Sequence, residues 1–157
     1  IRINMKDALV AELRKNFPDL LRELSQAYHM DVDKLFENKP PAMRALMQNY
    51  GTEVRRADKD SYWTDQWELS AGNSENRNIV VDDVRFINEA EAVRRQGGIL
   101  IRLTRPDITD GGTHSSETEQ LSIVADHTIE CKAGEHETLY KAIDDIILPP
   151  ENWSPRD

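Results

Sequence analysis

Cysteine is nearly absent from this sequence of 157 residues, because Cys131 is its only cysteine. A single cysteine cannot form an intrachain disulfide, a cysteine-rich zinc site or a two-cysteine redox motif. The four histidines also lack the spacing of metal ligands. The sequence therefore predicts neither a disulfide-stabilised scaffold nor a structural zinc protein, and we interpret Cys131 as a small apolar residue.

Long hydrophobic runs are absent as well. No stretch approaches the roughly 18–20 apolar residues of a membrane span, and no apolar signal-peptide core stands near the beginning of the sequence. Hydrophobic residues make up 38% and charged residues 31% of the chain, as is typical of globular proteins. We expect one domain, located in the cytoplasm and without a membrane partner.

Basic residues are scarce: 20 lysines and arginines face 29 acids, which gives a formal net charge of −9. Binding to duplex nucleic acid gains most of its affinity from basic side chains that neutralise phosphates. The charge therefore argues against duplex nucleic acid as a partner. A small phosphorylated ligand needs only a local group of arginines and stays compatible with this composition.

The first 70 residues have the apolar spacing of amphipathic helices. Apolar residues recur at three- and four-residue intervals at 5–13, 20–24 and 43–50, and the same spacing separates Trp63 from Trp67. The third of these helices is expected to begin at two prolines and to end at Gly51. Packing in a hydrophobic core explains these apolar faces.

A different pattern begins at residue 78. Residues 78–81 and 99–103 are short apolar runs, and residues 88–96 between them have helical composition. Strand, helix and strand in this order predict a βαβ unit with two parallel strands. We expect a further strand at 128–130 and a C-terminal helix through residues 139–147.

The first predicted strand of this unit runs directly into Asp82, Asp83 and Arg85. Ligands of parallel α/β sheets bind beyond the carboxyl ends of strands, so these residues are candidates for a site. One carboxylate could hold Mg²⁺ through water, and Arg85 could bind phosphate with two parallel hydrogen bonds. The alternative is a turn whose acidic charge Arg85 balances. Adjacent strand residues alternate in direction, so only one of the two acids is expected to face a site.

Asn88 and Glu91 have the spacing of a helix N-cap and its third helical residue, as in a capping box. This interpretation leaves Glu89 available for another role.

Two further groups of residues could carry chemistry. Residues 51–56 combine a glycine-threonine turn with a carboxylate and two arginines, which could bind a nucleoside and a phosphate or form only a solvated loop. Arg102 and Arg105 follow the second predicted strand and precede a loop at 107–113. They could accompany a phosphoryl group as that loop closes.

In their order along the chain, these segments resemble the phage-type deoxynucleoside monophosphate kinases, a branch of the P-loop kinase superfamily. The resemblance covers about positions 40 to 130, and the order of the segments is more specific than any one of them. It is carried by residues 43–53 with Arg55 and Arg56, 80–86, 88–92, 97–106 and 114–117. The family transfers the γ-phosphoryl group of ATP to a deoxynucleoside monophosphate with Mg²⁺.

The resemblance implies an α/β fold, in which a three-layer P-loop kinase-like domain has a mainly parallel sheet and lacks its N-terminal strand. That domain would occupy residues 1–148, with a helical acceptor side up to about residue 70 and a βαβ part from about residue 78. Residues 149–157 would form a tail.

Individual roles also follow from the resemblance. Arg85, Arg102 and Arg105 would be the catalytic cations at the transferred phosphoryl group, and Asp83 would hold Mg²⁺. The residues implied to bind the acceptor nucleotide are Gly51, Thr52, Glu53, Arg55, Arg56, Trp63, Asp83 and Glu117.

One element of the family does not occur in this sequence. The family begins with a strand and a glycine-rich phosphate loop that ends in Gly-Lys-Ser/Thr, and Lys6 follows no such loop. Arg55 and Ile87 also replace residues common in relatives, glycine and proline respectively. We expect an N-terminally incomplete kinase that is inactive as it stands. A natural loop-less nucleotide-binding or interaction module is the alternative.

A missing central strand would leave a sheet edge either exposed or paired with a second copy, so a homodimer is one of two expected arrangements. A nuclease or phosphatase that uses Asp82 and Asp83 as metal ligands is the remaining class. It would require a third converging carboxylate, and a nuclease would also require a basic track that the net charge of −9 does not favour.

Overall fold

The computed structural model describes residues 1–74, 78–106 and 115–148, with the backbone alone at 115–118. It contains both helices and parallel strands, which confirms the α/β class at this level. It divides into two compact units, Ile1–Ala92 and a second from Val93 onward. None of the helices in these ranges is long and apolar enough to cross a membrane.

The elements are α1 Lys6–Asn16, α2 Pro18–Ala27, α3 Val32–Asn38, α4 Pro41–Gln48, a π-helix Asn49–Arg56, α5 Tyr62–Gly72, α6 Ile87–Arg95, β1 Ile101–Thr104, α7 Ser115–Ser122, β2 His127–Glu130 and α8 His136–Ile147.

The core of the first unit lies between its helices. Helix α1 packs against α2 and α5, and α2 packs against α3. Leu13, Leu35 and Met43 are fully buried there, and Trp63 and Trp67 contribute large apolar side chains from α5. Burial of one such side chain is worth about 1.5–3 kcal/mol, so the predicted apolar faces account for the packing of these helices.

Local signals fix where several helices begin. Pro18 and Pro41 occupy the first positions of α2 and α4, where the missing N–H of proline costs nothing. Asp31 caps α3 by accepting a hydrogen bond from the backbone N–H of Lys34 at 2.8 Å. Helix α3 has only seven residues and was not foreseen from apolar spacing.

The predicted end of the third helix at Gly51 is wrong. The chain continues from α4 into the π-helix, and Gly51 is buried inside it. A Cβ atom on Gly51 would lie 3.3 Å from Cδ2 of Leu9. The carbonyl oxygen of Gly51 accepts a 2.9 Å hydrogen bond from Nε1 of Trp63. Glycine at this position therefore permits close packing against α1 instead of stopping a helix.

Residues 78–81 do not form the predicted strand. Val80 makes a single parallel bridge with Arg2. The carbonyl of Val80 accepts a 3.0 Å bond from the N–H of Ile3, and the N–H of Val80 donates a 2.8 Å bond to the carbonyl of Ile1. Val80 is 61% exposed, so little apolar burial supports further pairing at this position. The bridge still joins the beginning of the chain to the segment that carries Asp82 and Asp83.

Helix α6 begins one residue before Asn88, which corrects the predicted capping box. Glu89 occupies the third helical position and accepts bonds from the backbone N–H groups of Phe86 at 3.1 Å and Arg85 at 2.7 Å. The carboxylate of a capping box makes such a bond to the residue before the helix. Glu89 therefore caps this helix end, in place of the predicted pair Asn88 and Glu91.

The second unit contains the two strands, which pair in parallel with Ile101 opposite His127 and Thr104 opposite Glu130. This confirms strands near 99–103 and 128–130, although the partner of β1 is β2 and not residues 78–81. Oδ2 of Asp126 accepts a 2.7 Å bond from the N–H of Leu100, which lowers the pKa of this aspartate. The C-terminal helix is confirmed as α8. The loop at 107–113 and the tail at 149–157 lie outside the described residues.

Candidate functional site

A buried ion pair joins two of the predicted groups of residues. Nη2 of Arg56, in the π-helix, binds Oε1 of Glu89 in α6, and the two side chains are only 8% and 5% exposed. Nη1 of Arg56 also donates to Oδ1 of Asn88 at 3.2 Å. The guanidinium carbon lies 3.8 Å from the ring centroid of Phe86, close enough for a cation–π interaction. Residues 51–56 and 85–89 therefore form one connected structure.

Burial raises the pKa of the Glu89 carboxyl above its ordinary value, although its backbone donors and Arg56 lower it. A charge in such surroundings is stable only with several partners. Glu89 has them in Arg56 and the two backbone N–H groups. The pair therefore fixes the relative positions of the π-helix and the start of α6.

Arg55 takes part in a second network, centred on Glu12 of α1. Oε2 of Glu12 accepts hydrogen bonds from Nε of Arg55 at 3.0 Å and from the hydroxyl of Tyr50 at 2.9 Å. Oε1 accepts a bond from the hydroxyl of Tyr62. The guanidinium carbon of Arg55 lies 5.3 Å from the ring centroid of Tyr50 and 5.0 Å from that of Tyr62.

Opposing effects act on the pKa of the Glu12 carboxyl. Burial raises it, but the hydrogen bonds from Tyr62, Tyr50 and Arg55 together outweigh burial and lower it. Glu12 is thus held as a carboxylate that orders two tyrosines and an arginine. Glu12 does not stand out in the sequence, because its partners are 38 to 50 residues away along the chain.

The other residues predicted to bind the acceptor nucleotide have different surroundings. Gly51 and Trp63 are buried and bonded to each other, so both contribute to packing. Thr52 is partly exposed and Glu53 is exposed, which leaves both accessible to a ligand. The backbone of Glu117 lies in α7 of the second unit, and its side chain is outside the described part of the structure.

Asp82 and Asp83 contact different groups, as expected for adjacent residues. Oδ2 of Asp82 forms an exposed ion pair with Nε of Arg2 at 3.0 Å. The two carboxylate oxygens of Asp83 accept bonds from the backbone N–H groups of Met5 at 2.8 Å and Lys6 at 3.1 Å. Asp83 thereby caps the N-terminus of α1 with a negative charge, where the helix dipole favours it.

Arg85 is exposed, and its charge acts on Lys39, as do the charges of Lys6 and Arg44. Burial, followed by these three cations, lowers the pKa of Lys39, while Asp83 raises it. Among these four cations, only Arg85 was a candidate from the sequence.

The remaining two predicted catalytic cations belong to the second unit. Arg102, on β1, donates through Nη2 to the carbonyl oxygen of Gln120 at 3.0 Å and to that of Ile123. These bonds satisfy carbonyl groups at the end of α7. Arg105 is exposed, and Pro106 alone separates it from the segment outside the described residues.

A bound metal would need several ligands close together. Within residues 1–74, 78–106 and 115–148, no group of three or more histidine, cysteine, aspartate or glutamate residues is arranged to hold an ion. Asp83 remains the single carboxylate that the sequence suggested for Mg²⁺. The third converging carboxylate that a metal-dependent nuclease requires is not found among the described residues.

Comparison with known proteins supports one family. The family model described as deoxynucleotide monophosphate kinase matches residues 9–143, which is most of the chain. A protein of Acanthamoeba polyphaga mimivirus, provisionally named a deoxynucleotide monophosphate kinase, is 49% identical over 45 residues. That segment covers 29% of this chain and 23% of the mimivirus protein, so the match spans about a quarter of that relative. No solved structure matches the chain at a significant level.

Proposed function

The chain belongs to the deoxynucleotide monophosphate kinase family, and from this premise we propose that it binds a deoxynucleoside monophosphate as the acceptor of a phosphoryl group from ATP. The observation that carries the proposal is the connection between residues 51–56 and 85–89 through Arg56 and Glu89. Two segments that resemble the kinases in sequence meet in the first unit. The accessible Thr52 and Glu53 lie on the π-helix, a form of helix that is frequent at functional sites.

Phosphoryl transfer depends mainly on positioning and on neutralisation of charge. In this proposal Thr52, Glu53, Arg55 and Arg56 belong to the acceptor side, and Glu12 and Glu89 hold the two arginines in place. Arg85, Arg102 and Arg105 supply positive charge for the phosphoryl groups. Glu117 is proposed to contribute to the nucleotide site from α7, with Gly51 and Trp63 supporting the acceptor side through packing.

ATP and Mg²⁺ are the cofactors that the family implies. Asp83 fits a metal ligand in chemistry, because each of its oxygens accepts one N–H bond and retains a further lone pair. A complete set of protein ligands is not present among the described residues. The 157 residues contain no glycine-rich phosphate loop. We therefore assign no step to the metal and test the proposal by acceptor binding.

The direct test is thermal unfolding of the 157-residue protein with each of the four deoxynucleoside monophosphates and with the matching deoxynucleosides. A ligand that binds the native state with a Kd of about 1 mM stabilises it by roughly 1.4 kcal/mol at 10 mM. We expect at least one monophosphate to raise the Tm and its deoxynucleoside to raise it much less. Equal effects of the two, or no effect of any monophosphate, would overturn the proposal.

Glu53→Gln provides a variant with little risk to folding, because the side chain is exposed. We expect this variant to bind the monophosphate more weakly and to unfold at nearly the same temperature without ligand. Glu23→Gln is the matched control, since Glu23 is an exposed glutamate on α2. Equal weakening in both variants would indicate a general effect of charge and contradict a specific role for Glu53.

A further inference from the structure

Arg55 lies in the last turn of the π-helix, and one edge of its guanidinium group is held by Glu12. Oε2 of Glu12 lies 3.0 Å from both Nε and Nη2 of Arg55. The hydroxyls of Tyr50 and Tyr62 donate hydrogen bonds to the same carboxylate, so Glu12 has little freedom to turn away. The orientation of the guanidinium group is thus set before any ligand arrives, which lowers the entropic cost of binding.

Part of the hydrogen-bonding capacity of Arg55 is left over. A guanidinium group carries five N–H donors in one plane. Glu12 uses two of them, those of Nε and Nη2, and the hydroxyl of Tyr50 also interacts with the group. At least two donors remain, and a guanidinium group bound through Nε and Nη2 keeps a second edge, between Nη1 and Nη2, for a bidentate acceptor. The side chain is 30% exposed, which leaves it accessible to a ligand.

Charge determines which kind of acceptor suits this second edge. Arg55 and Glu12 together carry no net charge, because the carboxylate is paired directly with the guanidinium group. A phosphate monoester, with a charge of about −1.5 to −2, would be attracted by Arg55 and repelled by the adjacent Glu12. A neutral group with two lone pairs meets no such repulsion. Arg85 suits a phosphate better, since it forms no ion pair in the part of the chain that the structure describes.

A nucleobase is a neutral group of this kind, and the four bases differ in the edges that they offer. Guanine presents N7 and O6 side by side as acceptors, whereas adenine has its N6 amino donor beside N7. Thymine offers O4 beside the N3–H donor. Cytosine has two adjacent acceptors only at N3 and O2, and O2 lies next to the bond to the deoxyribose. Paired hydrogen bonds to N7 and O6 of guanine are the commonest specific contact of arginine with a base.

We propose that Arg55 binds the base of the acceptor nucleotide and selects guanine, by donating two hydrogen bonds to N7 and O6 while Glu12 holds the guanidinium group in place. This inference rests on the function proposed above. It makes Arg55 the residue that determines specificity and dGMP the preferred acceptor. The role does not follow from the resemblance to the kinase family, because relatives commonly carry glycine where this chain has Arg55.

The test is calorimetric titration of the 157-residue protein with dGMP, dAMP, dCMP, dTMP and 7-deaza-dGMP, in which a C–H group replaces N7. We expect the wild type to bind dGMP about 5- to 150-fold more tightly than dAMP, and to bind 7-deaza-dGMP more weakly than dGMP. Arg55→Lys keeps a positive charge beside Glu12 and removes the planar pair of donors. This variant should bind dGMP, 7-deaza-dGMP and dAMP with nearly equal affinity. A purely structural Arg55 would leave the preference among these ligands unchanged.

Arg14→Lys is the matched control, since Arg14 also pairs with an acid, Asp33, and lies over an aromatic ring, that of Phe36. It should keep the wild-type preference. If the wild type binds another base most tightly, or if Arg55→Lys keeps the preference for dGMP, Arg55 does not select guanine, although the proposed function stands. If deoxyguanosine binds as tightly as dGMP and Arg55→Lys weakens both, the base site stands and the proposed function fails. If no monophosphate binds, both are wrong.

Discussion

A single carboxylate, Glu12, orders side chains from two other helical elements, the π-helix and α5. It accepts bonds from Tyr50, Arg55 and Tyr62, while itself projecting from α1. Each of these residues has an ordinary explanation in the sequence, as part of an apolar face or a charged loop. Their common partner becomes evident only from the fold. The orientation of Arg55, which was predicted to contact the acceptor, is therefore set by a residue that the sequence did not indicate.

Glu12→Gln should make the free energy of unfolding less dependent on acid pH. The pKa of Glu12 is lowered in the folded protein, so the unfolded chain takes up its proton first, at a pKa of about 4.3. The stability that the carboxylate contributes is present above that value and is lost as the pH falls through it toward the lower folded-state pKa. We expect the variant to be less stable than the wild type by about 1–3 kcal/mol at pH 7.

Urea unfolding at pH 7, 5, 4 and 3 measures this difference. The difference in free energy of unfolding between the wild type and Glu12→Gln should become smaller below pH 5. Glu23→Gln, on the exposed face of α2, should have the same stability as the wild type at every pH. A gap that stays constant over the whole range would show that the charge of Glu12 contributes nothing.

At the scale of elements, most helices could be predicted from the sequence. Each of these helices buries one face, and the apolar residues of that face recur at three- and four-residue intervals. The exceptions have physical causes. Helix α3 is too short for a periodic pattern, and the π-helix continues past a glycine that was interpreted as a stop. Residues 79–81 have β-branched side chains, which favour a strand. A strand also needs a neighbouring segment to pair with, and in residues 78–81 only Val80 forms a bridge.

The candidate site was predictable in part for a related reason. The acidic and basic side chains of 51–56 and 82–85 stand out in the sequence. In the structure, Arg56 pairs with Glu89, Asp83 caps α1, and the charge of Arg85 helps to lower the pKa of Lys39. Their partners do not stand out, because the contacts join residues 33 to 78 positions apart.

The Arg56–Glu89 pair connects two elements, and a double-mutant cycle can measure that connection. Removal of one partner leaves the other charge buried, which typically costs about 3–5 kcal/mol. We expect Arg56→Met and Glu89→Met each to destabilise the protein strongly, and the double variant to lose clearly less than their sum. Glu89→Met should be the more damaging single change, because it also deprives the N–H groups of Arg85 and Phe86 of their acceptor.

Chemical denaturation of the three variants gives the coupling energy. Arg22→Met is the control, since Arg22 forms an exposed pair with Asp19, and such pairs are worth about 0–1 kcal/mol. Strictly additive effects of Arg56→Met and Glu89→Met would contradict a coupled pair.

At the scale of the whole molecule, the beginning of the chain is tied to the segment around residues 80–83. Backbone bonds join Ile1 and Ile3 to Val80, and Asp83 binds the first turn of α1. These contacts connect residues 77 to 79 positions apart and close most of the first unit into one loop. The fold of that unit and the position of Arg85 therefore depend on contacts made by the first six residues.

Asp83→Asn tests this dependence, with Asp82→Asn as its neighbour and control. The N–H groups of Met5 and Lys6 bond to different oxygens of Asp83, so in Asp83→Asn one of them faces the amide NH₂ group in place of an acceptor. The charge at the start of α1 is lost as well. Loss of a helix cap costs about 0.5–2 kcal/mol, and we expect Asp83→Asn to fall in this range. Asp82→Asn removes only an ion pair whose side chains are 62% and 50% exposed, so its cost should be near zero.

Urea unfolding without nucleotide or metal compares the stabilities of the two variants. Equal stability of the two variants would show that the cap formed by Asp83 does not hold the first unit together.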